Sequence, residues 1–283
     1  MIIQKSTSQK QSTLYLVPTP IGNLGDMTPR AIEVLSSVDY VFAEDTRVTK
    51  IILSHFNINT KLKSYHIFNE DSSSDEILSF LKDGSNVALV SDAGMPAISD
   101  PGFLVVSKVL DAGLNVISLP GANALLTALV ASGIPSERFY FYGFLKHKAS
   151  QKEKELIDLV DFKDTLIFYE SPHRIKETIN IMYKVFGNRK IAIARELTKR
   201  YEEYIRGNLE DVSKLDLELK GEIVIVVNGA ILSSNALKLN EMDIEDHYQF
   251  YIDEGYESKE AMKMVAKDRG VSKSEIYKVI NIK

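Results

Sequence analysis

The chain has 283 residues, no cysteine, 45% hydrophobic positions and a formal net charge of −5. That length can hold two cored domains and a small third, and the missing cysteines exclude disulfides and thiolate-held zinc and fit a cytoplasmic protein. The mild acidity excludes a broadly basic nucleic-acid binder, so a polyanionic partner would have to meet a local basic patch. No apolar run is long enough to span a bilayer, and His55, His66, His147, His173 and His247 lack metal-ligand spacing, so no metal is expected. Residues 1–12, polar and rich in Gln and Ser, read as a disordered leader.

In chain order, Leu14 to Val17 is a first strand running into a long Gly/Pro loop, Pro18 to Asp26. Thr28 then caps a helix with Pro29 at its first position. Asp39 to Ala43 is a second strand that ends in Glu44-Asp45-Thr46-Arg47, an abrupt concentration of charge. A helix is expected over 48–56, a short strand near Leu62, and a helix over 76–81 capped by the Ser/Asp run before it. Val87 to Val90 is a continuous apolar run, the mark of a strand buried on both faces. It leads into Ser91 to Gly102, a loop with two glycines and two prolines, and then into a helix that continues to Ala112. In a parallel sheet such a loop lies beyond the strand's carboxyl end, where ligands bind, and glycine lets backbone approach them closely.

Val116 to Leu119 is the next strand, and Pro120-Gly121-Ala122-Asn123 opens a helix whose first amides suit an anion. The aromatic strand Phe139 to Phe144 is followed by a basic loop with Lys146, His147, Lys148, Lys152 and Lys154. Three further strand ends carry clustered charge: Glu170, His173 and Arg174; Arg195, Glu196 and Lys199; and Glu222. Strands alternating with helices argue for parallel α/β domains. The expected boundaries are 13–120 and 121–230 for the two α/β domains, 231–240 for a linker, and 241–283 for a helical extension, acidic from Asp243 to Glu257 and basic from Lys259 onward, with a helix-turn-helix-like turn at Gly270-Val271-Ser272.

Together, Pro18 to Leu24, Ala43 to Arg47, Ser91 to Gly102, Pro120 to Ala124, Tyr169 to Arg174 and Ala194 to Lys199 resemble the tetrapyrrole-methylase-like family of S-adenosylmethionine-dependent methyltransferases. Within it they are most similar to the members that methylate a cytidine ribose 2′-oxygen in 16S rRNA. The resemblance implies an α/β architecture of two tetrapyrrole-methylase-type domains with the methyl donor in the cleft between them, plus the helical extension. It also implies a homodimer, and 16S rRNA within the small ribosomal subunit as partner. Carried over, the donor contacts are Pro20, Ile21, Ser91, Asp92, Ala93, Gly94, Met95, Ile98, Ala122, Asn123, Tyr169, Glu170, Leu197, Gly221 and Glu222.

A 2′-hydroxyl is a weak acid and gains from a nearby base. Asp45 is the chosen base or hydroxyl orienter, with Glu170 beside the donor as the second candidate. Arg47, Lys146, Lys148, His173, Arg174, Arg195 and Lys199 are expected to meet RNA phosphates. The competing readings are a porphyrinoid C-methyltransferase on the same fold and a non-enzymatic RNA-binding assembly factor.

Overall fold

A computed structural model of the chain describes residue 4, residues 12–231 and residues 234–281. Apart from Gln4 and Ser12, the expected leader lies outside the described residues. β1 (Thr13–Leu16), β2 (Tyr40–Ala43), β3 (Lys61–Ser64), β4 (Val87–Val90) and β5 (Asn115–Ser118) form a sheet in the order β3-β2-β4-β1-β5. Every neighbouring pair is parallel. The intervening helices are α1 (Pro29–Ser37), α2 (Thr46–His55), α3 (Glu70–Lys82) and α4 (Phe103–Asp111), with α5 (Ala124–Ser132) after β5.

Alternate residues of each strand face opposite sides of a sheet, and both faces here are cored. Val41, Ala43, Ala88 and Val90 pack with Ala31 and Leu35 of α1 and Ile52 and Leu53 of α2. Phe42, Val87 and Leu89 pack with Ile77 and Leu81 of α3 and Val105 and Val109 of α4. This is why the β4 run is apolar without interruption. The edge strand β3 is different: Lys61 and Lys63 hold their ammonium groups 5.3 and 5.8 Å from the Tyr40 ring centre.

The second sheet, in the order β6-β7-β10-β8-β9, comprises β6 (Phe139–Phe144), β7 (Thr165–Glu170), β8 (Lys190–Arg195), β9 (Glu203–Asn208) and β10 (Ile223–Val227). Its helices are α6 (Ala149–Ile157), α7 (Ile175–Phe186) and α8 (Leu209–Ser213). Four helices follow: α9 (Ser234–Asn240), α10 (Ile244–Asp253), α11 (Ser258–Arg269) and α12 (Lys273–Asn281). They share a small core that includes Leu239, Tyr251, Val265 and Ile276. Gly270 takes a left-handed conformation between α11 and α12, as a tight helical stop requires.

Two compact bodies result. Among the described residues, the first takes those up to 131 together with 194–204 and 220–224, and the second takes the remainder.

Two elements differ from expectation. α3 begins at Glu70, because Ser73 and Ser74 bond the carbonyls of Ser64 and Glu70 and so fold into the helix rather than cap it. Residues 234–240, expected within a linker, form α9, whose Ala236 and Leu239 are buried.

Candidate active site

In the first body, five loop segments meet through main-chain hydrogen bonds and through the packed side chains of Pro18, Ile21, Glu196 and Lys199. Thr19 and Gly94 exchange amide-to-carbonyl hydrogen bonds of 2.9 and 3.0 Å. The Thr19 hydroxyl donates to the Ser91 carbonyl at 3.1 Å, and the Ser91 hydroxyl donates to the Gly94 carbonyl at 3.1 Å. The first and central loops are thereby fastened together.

The glycines show how tightly the others join. Gly94 has φ +82°, and a Cβ there would lie 3.1 Å from Ile21 Cγ2 and 3.5 Å from the Ala122 carbonyl. A Cβ on Gly121 would lie 2.7 Å from the Pro18 ring. A Cβ on Gly22 would collide with the Lys199 stem, and one on Gly221, at φ +84°, with the Glu196 carboxylate. Asn123 caps α5 by accepting from the Leu126 amide at 3.1 Å. Hence Ile21, Gly94, Ala122, Lys199 and Gly221 belong to one cradle of closely packed loops in the first body, with little room for a Cβ at its glycines.

Beside it lies a group of carboxyls at the ends of β2 and β4. The Asp45 amide donates to Asp92 Oδ1 at 2.8 Å. Asp45 Oδ1 caps α2 through the Arg47 amide at 2.8 Å, and Oδ2 lies 2.6 Å from the Arg47 guanidinium. Those hydrogen bonds hold the Asp45 carboxyl down at about 2. Asp100 behaves in the opposite way: burial, and then the neighbouring Glu44 charge, push it up to about 6. Glu44 is raised too, by burial and then by Asp92. Asp100 follows a turn with two left-handed non-glycine residues, Ala97 (φ 66°) and Ser99 (φ 63°), a costly backbone that persists only when its surroundings enforce it. Glu70 Oε1 is one such restraint, accepting from the Tyr65 hydroxyl and the Gly102 amide, each at 3.0 Å.

Of the expected donor contacts, Pro20, Ile21, Ser91, Asp92, Ala93, Gly94, Met95, Ile98, Ala122, Asn123, Leu197, Gly221 and Glu222 all belong to the first body, whereas Tyr169 and Glu170 belong to the second. Glu170 changes its reading. Its carboxylate is 1% exposed, pairs with Arg174, and accepts from the Ser171 amide at 2.7 Å and the Thr178 hydroxyl at 2.5 Å. Both of its oxygens are thus engaged by neighbours within the second body.

Several expected phosphate contacts have acidic partners of their own. Arg195 pairs with Glu203 at 2.7 Å, and Lys199 pairs with Glu196 at 2.9 Å and Glu222 at 3.1 Å. Partial burial alone would lower Lys199, but the hydrogen bonds to Glu196 and Glu222 prevail and raise it. Arg47, though paired, remains 88% exposed. Lys146, Lys148 and His173 are exposed on the second body. Lys152, grouped with them in the sequence, is instead fully buried. Among the described residues no cluster of three or more His, Asp or Glu is placed to hold a metal ion, and no helix is long and apolar enough to cross a membrane.

The family model for Tetrapyrrole (Corrin/Porphyrin) Methylases matches residues 13–213. The chain belongs to this family. The methylase is 50% identical over 279 residues to the Ribosomal RNA small subunit methyltransferase I of Bacillus subtilis (strain 168), covering 95% of this chain and 94% of that protein. It is 48% identical to the protein of the same name from Halalkalibacterium halodurans, with 99% of both chains covered. Among solved structures, the methyltransferase CobJ aligns with a TM-score of 0.60 at 19% identity, over 78% of this chain and 95% of that one. Uroporphyrin-III-C-methyltransferase from Thermus thermophilus aligns with a TM-score of 0.56 at 18% identity, over 77% of this chain and 94% of that one. These structural likenesses establish the fold of the methylase, and the methylase is a methyltransferase by its family and its relatives.

Proposed function

We propose that the methylase transfers a methyl group from S-adenosylmethionine to the ribose 2′-oxygen of a cytidine in 16S rRNA, acting on the small ribosomal subunit as a cytoplasmic homodimer. One observation carries this reading. The family model stops at residue 213, yet relatives named for small-subunit ribosomal RNA match 95–99% of the chain, through the helical extension. The structural neighbours named for porphyrinoid substrates cover only 76–77% of it.

The cradle fits the donor's chemistry. An amino-acid terminus needs backbone partners, an adenine needs an apolar slot, and a sulfonium favours nearby carbonyls. Ile21, Ser91 to Met95, Ile98, Ala122, Asn123, Leu197 and the Gly221-Glu222 backbone would hold it, and the glycines let these loops pack closely around it. S-adenosylmethionine supplies a methyl group already activated for displacement, so the protein's task is to hold the acceptor oxygen in line. Asp100, poised at about 6, is the carboxyl suited to take the hydroxyl proton near neutral pH. Asp45, fixed by Arg47 in its ionised form, would orient the hydroxyl instead.

The test offers purified small subunits, naked 16S rRNA and a free porphyrinoid to the pure protein, and follows methyl incorporation by mass spectrometry. One 2′-O-methylated cytidine on RNA is the expected result. Methylation of the porphyrinoid alone supports the first rival, and failure to bind S-adenosylmethionine in calorimetry supports the non-enzymatic one.

A further inference from the structure

We propose that Arg174, held by a buried Lys152-Thr178-Glu170 relay, is a positioning residue that fixes His147 as an Nε2–H donor for an RNA backbone phosphate. This rests on the RNA reading above, but its evidence lies wholly within the second body.

Lys152 lies on α6 with its side chain 0% exposed. Its ammonium donates to Glu177 Oε2 at 2.9 Å and to the Thr178 hydroxyl at 2.8 Å, with Glu170 Oε2 at 3.9 Å. Having accepted from Lys152, the Thr178 hydroxyl donates onward to Glu170 Oε2 at 2.5 Å. The other Glu170 oxygen takes the Ser171 amide and the Arg174 guanidinium. Arg174 then reaches outward through Nη1, which donates to the Leu145 carbonyl at 3.3 Å and lies 3.1 Å from His147 Nδ1, while its Nε is buried without a hydrogen-bond partner. The relay therefore runs from a fully enclosed cation to an exposed loop.

The last link decides the chemistry. A guanidinium has donors only, so the Arg174 contact exists only while His147 Nδ1 keeps its lone pair. The ring is then neutral with its proton on Nε2, in the manner that one partner of an imidazole sets the tautomer presented by the other nitrogen. His147 is exposed between Lys146 and Lys148, so the loop offers a fixed N–H flanked by two ammonium groups. Such a set of donors fits a phosphate oxygen and carries no base information. Apolar residues could have joined α6 to α7 without enclosing ions, which are costly to desolvate. A relay that ends on a surface histidine accounts for ions where plain packing would serve.

The test uses the full-length protein and small subunits from cells lacking it. Nitrogen-15 NMR of histidine-labelled protein, with the His147 signal assigned from the His147→Asn variant, is expected to show the Nε2–H tautomer and to lose that preference in Arg174→Met. His147→Asn and Arg174→Met should each raise the KM for subunits about tenfold, the equivalent of one hydrogen bond to a charged group. Both should leave kcat and the affinity for S-adenosylmethionine essentially unchanged. The double variant should be no worse than the poorer single one, as expected for two members of one path.

Because His147 is exposed, its replacement does not endanger folding. An unchanged tautomer in Arg174→Met, additive effects on KM, or an unaltered KM in His147→Asn would each overturn the proposal. Wild-type protein that binds the donor yet never methylates subunits would overturn the RNA reading and this phosphate role with it, whatever tautomer the NMR reports.

Discussion

The two bodies solve the problem of building a site in opposite ways. The first brings its loops together through amides, carbonyls and glycines, as in the Thr19–Gly94 exchange and the packing of Gly121 on Pro18. The second locks side chains into an enclosed ionic relay through Lys152, Thr178, Glu170 and Arg174. A cradle packed around glycines tolerates no added volume at them. A buried ionic relay tolerates small changes of volume but not the loss of its shared anion, Glu170. The first arrangement suits a small donor with many polar edges, and the second suits the precise aim of a surface loop.

The sharpest way to break the comparison is Glu170→Leu, which leaves Lys152 and Arg174 without their shared anion. We expect a loss of about 3–5 kcal/mol in urea denaturation, and Lys152→Met added to it should cost much less than it does alone. A small stability loss coupled to weak donor binding would return Glu170 to the methyl-donor site.

Next in size is Asp100→Asn, which should lower kcat by about a hundredfold, the usual scale for a lost proton acceptor. Its pH signature has a definite sign. Asp100 is raised from 3.8 to about 6 in the fold, so the folded chain binds more protons than the unfolded one between those values. This group's unfavourable contribution is thus full above pH 6, and is relieved as the pH falls through 6 towards 4. Compared at pH 8 and pH 5, Asp100→Asn should gain stability over wild type at the higher pH only. Wild-type kcat should fall below pH 6, and the residual rate of the variant should not.

Gly221→Ala should cost about 1–3 kcal/mol from its left-handed backbone, with weaker donor binding because the new Cβ displaces Glu196. Gly113→Ala is the control: φ is +73° and nothing lies within 4 Å of the added carbon, so only strain remains and donor affinity should hold. The smallest effect is that of Asp45→Asn. Asparagine caps a helix about as well as aspartate, so we expect a few-fold fall in turnover and no change in donor affinity. A fall as large as that of Asp100→Asn would make Asp45 the proton acceptor.

Much of the first body was legible in the chain. Val87 to Val90 announces a strand covered on both sides, and Thr28 with Pro29 announces a helix start, its hydroxyl accepting from Ala31 at 3.1 Å. The cradle was legible because glycine and proline mark backbone that approaches backbone. The second body hid its plan. Lys152 stands among other lysines, and only packing against Glu177 and Thr178 of α7 reveals it as an interior cation. Asp100 gives no signal for a related reason: an aspartate between Ser99 and Pro101 looks like turn chemistry, and only the fold sets Glu44, distant in sequence, beside it. Charge that is neutralised across a fold leaves no local pattern.

The lysines of β3 have a consequence for how the molecule behaves in company. A sheet margin bares unpaired amides that invite foreign strands. Here two cations, steadied over Tyr40, would have to shed their water before another chain could zip alongside. High local protein concentrations, such as those met during synthesis, should therefore not draw copies together along this border.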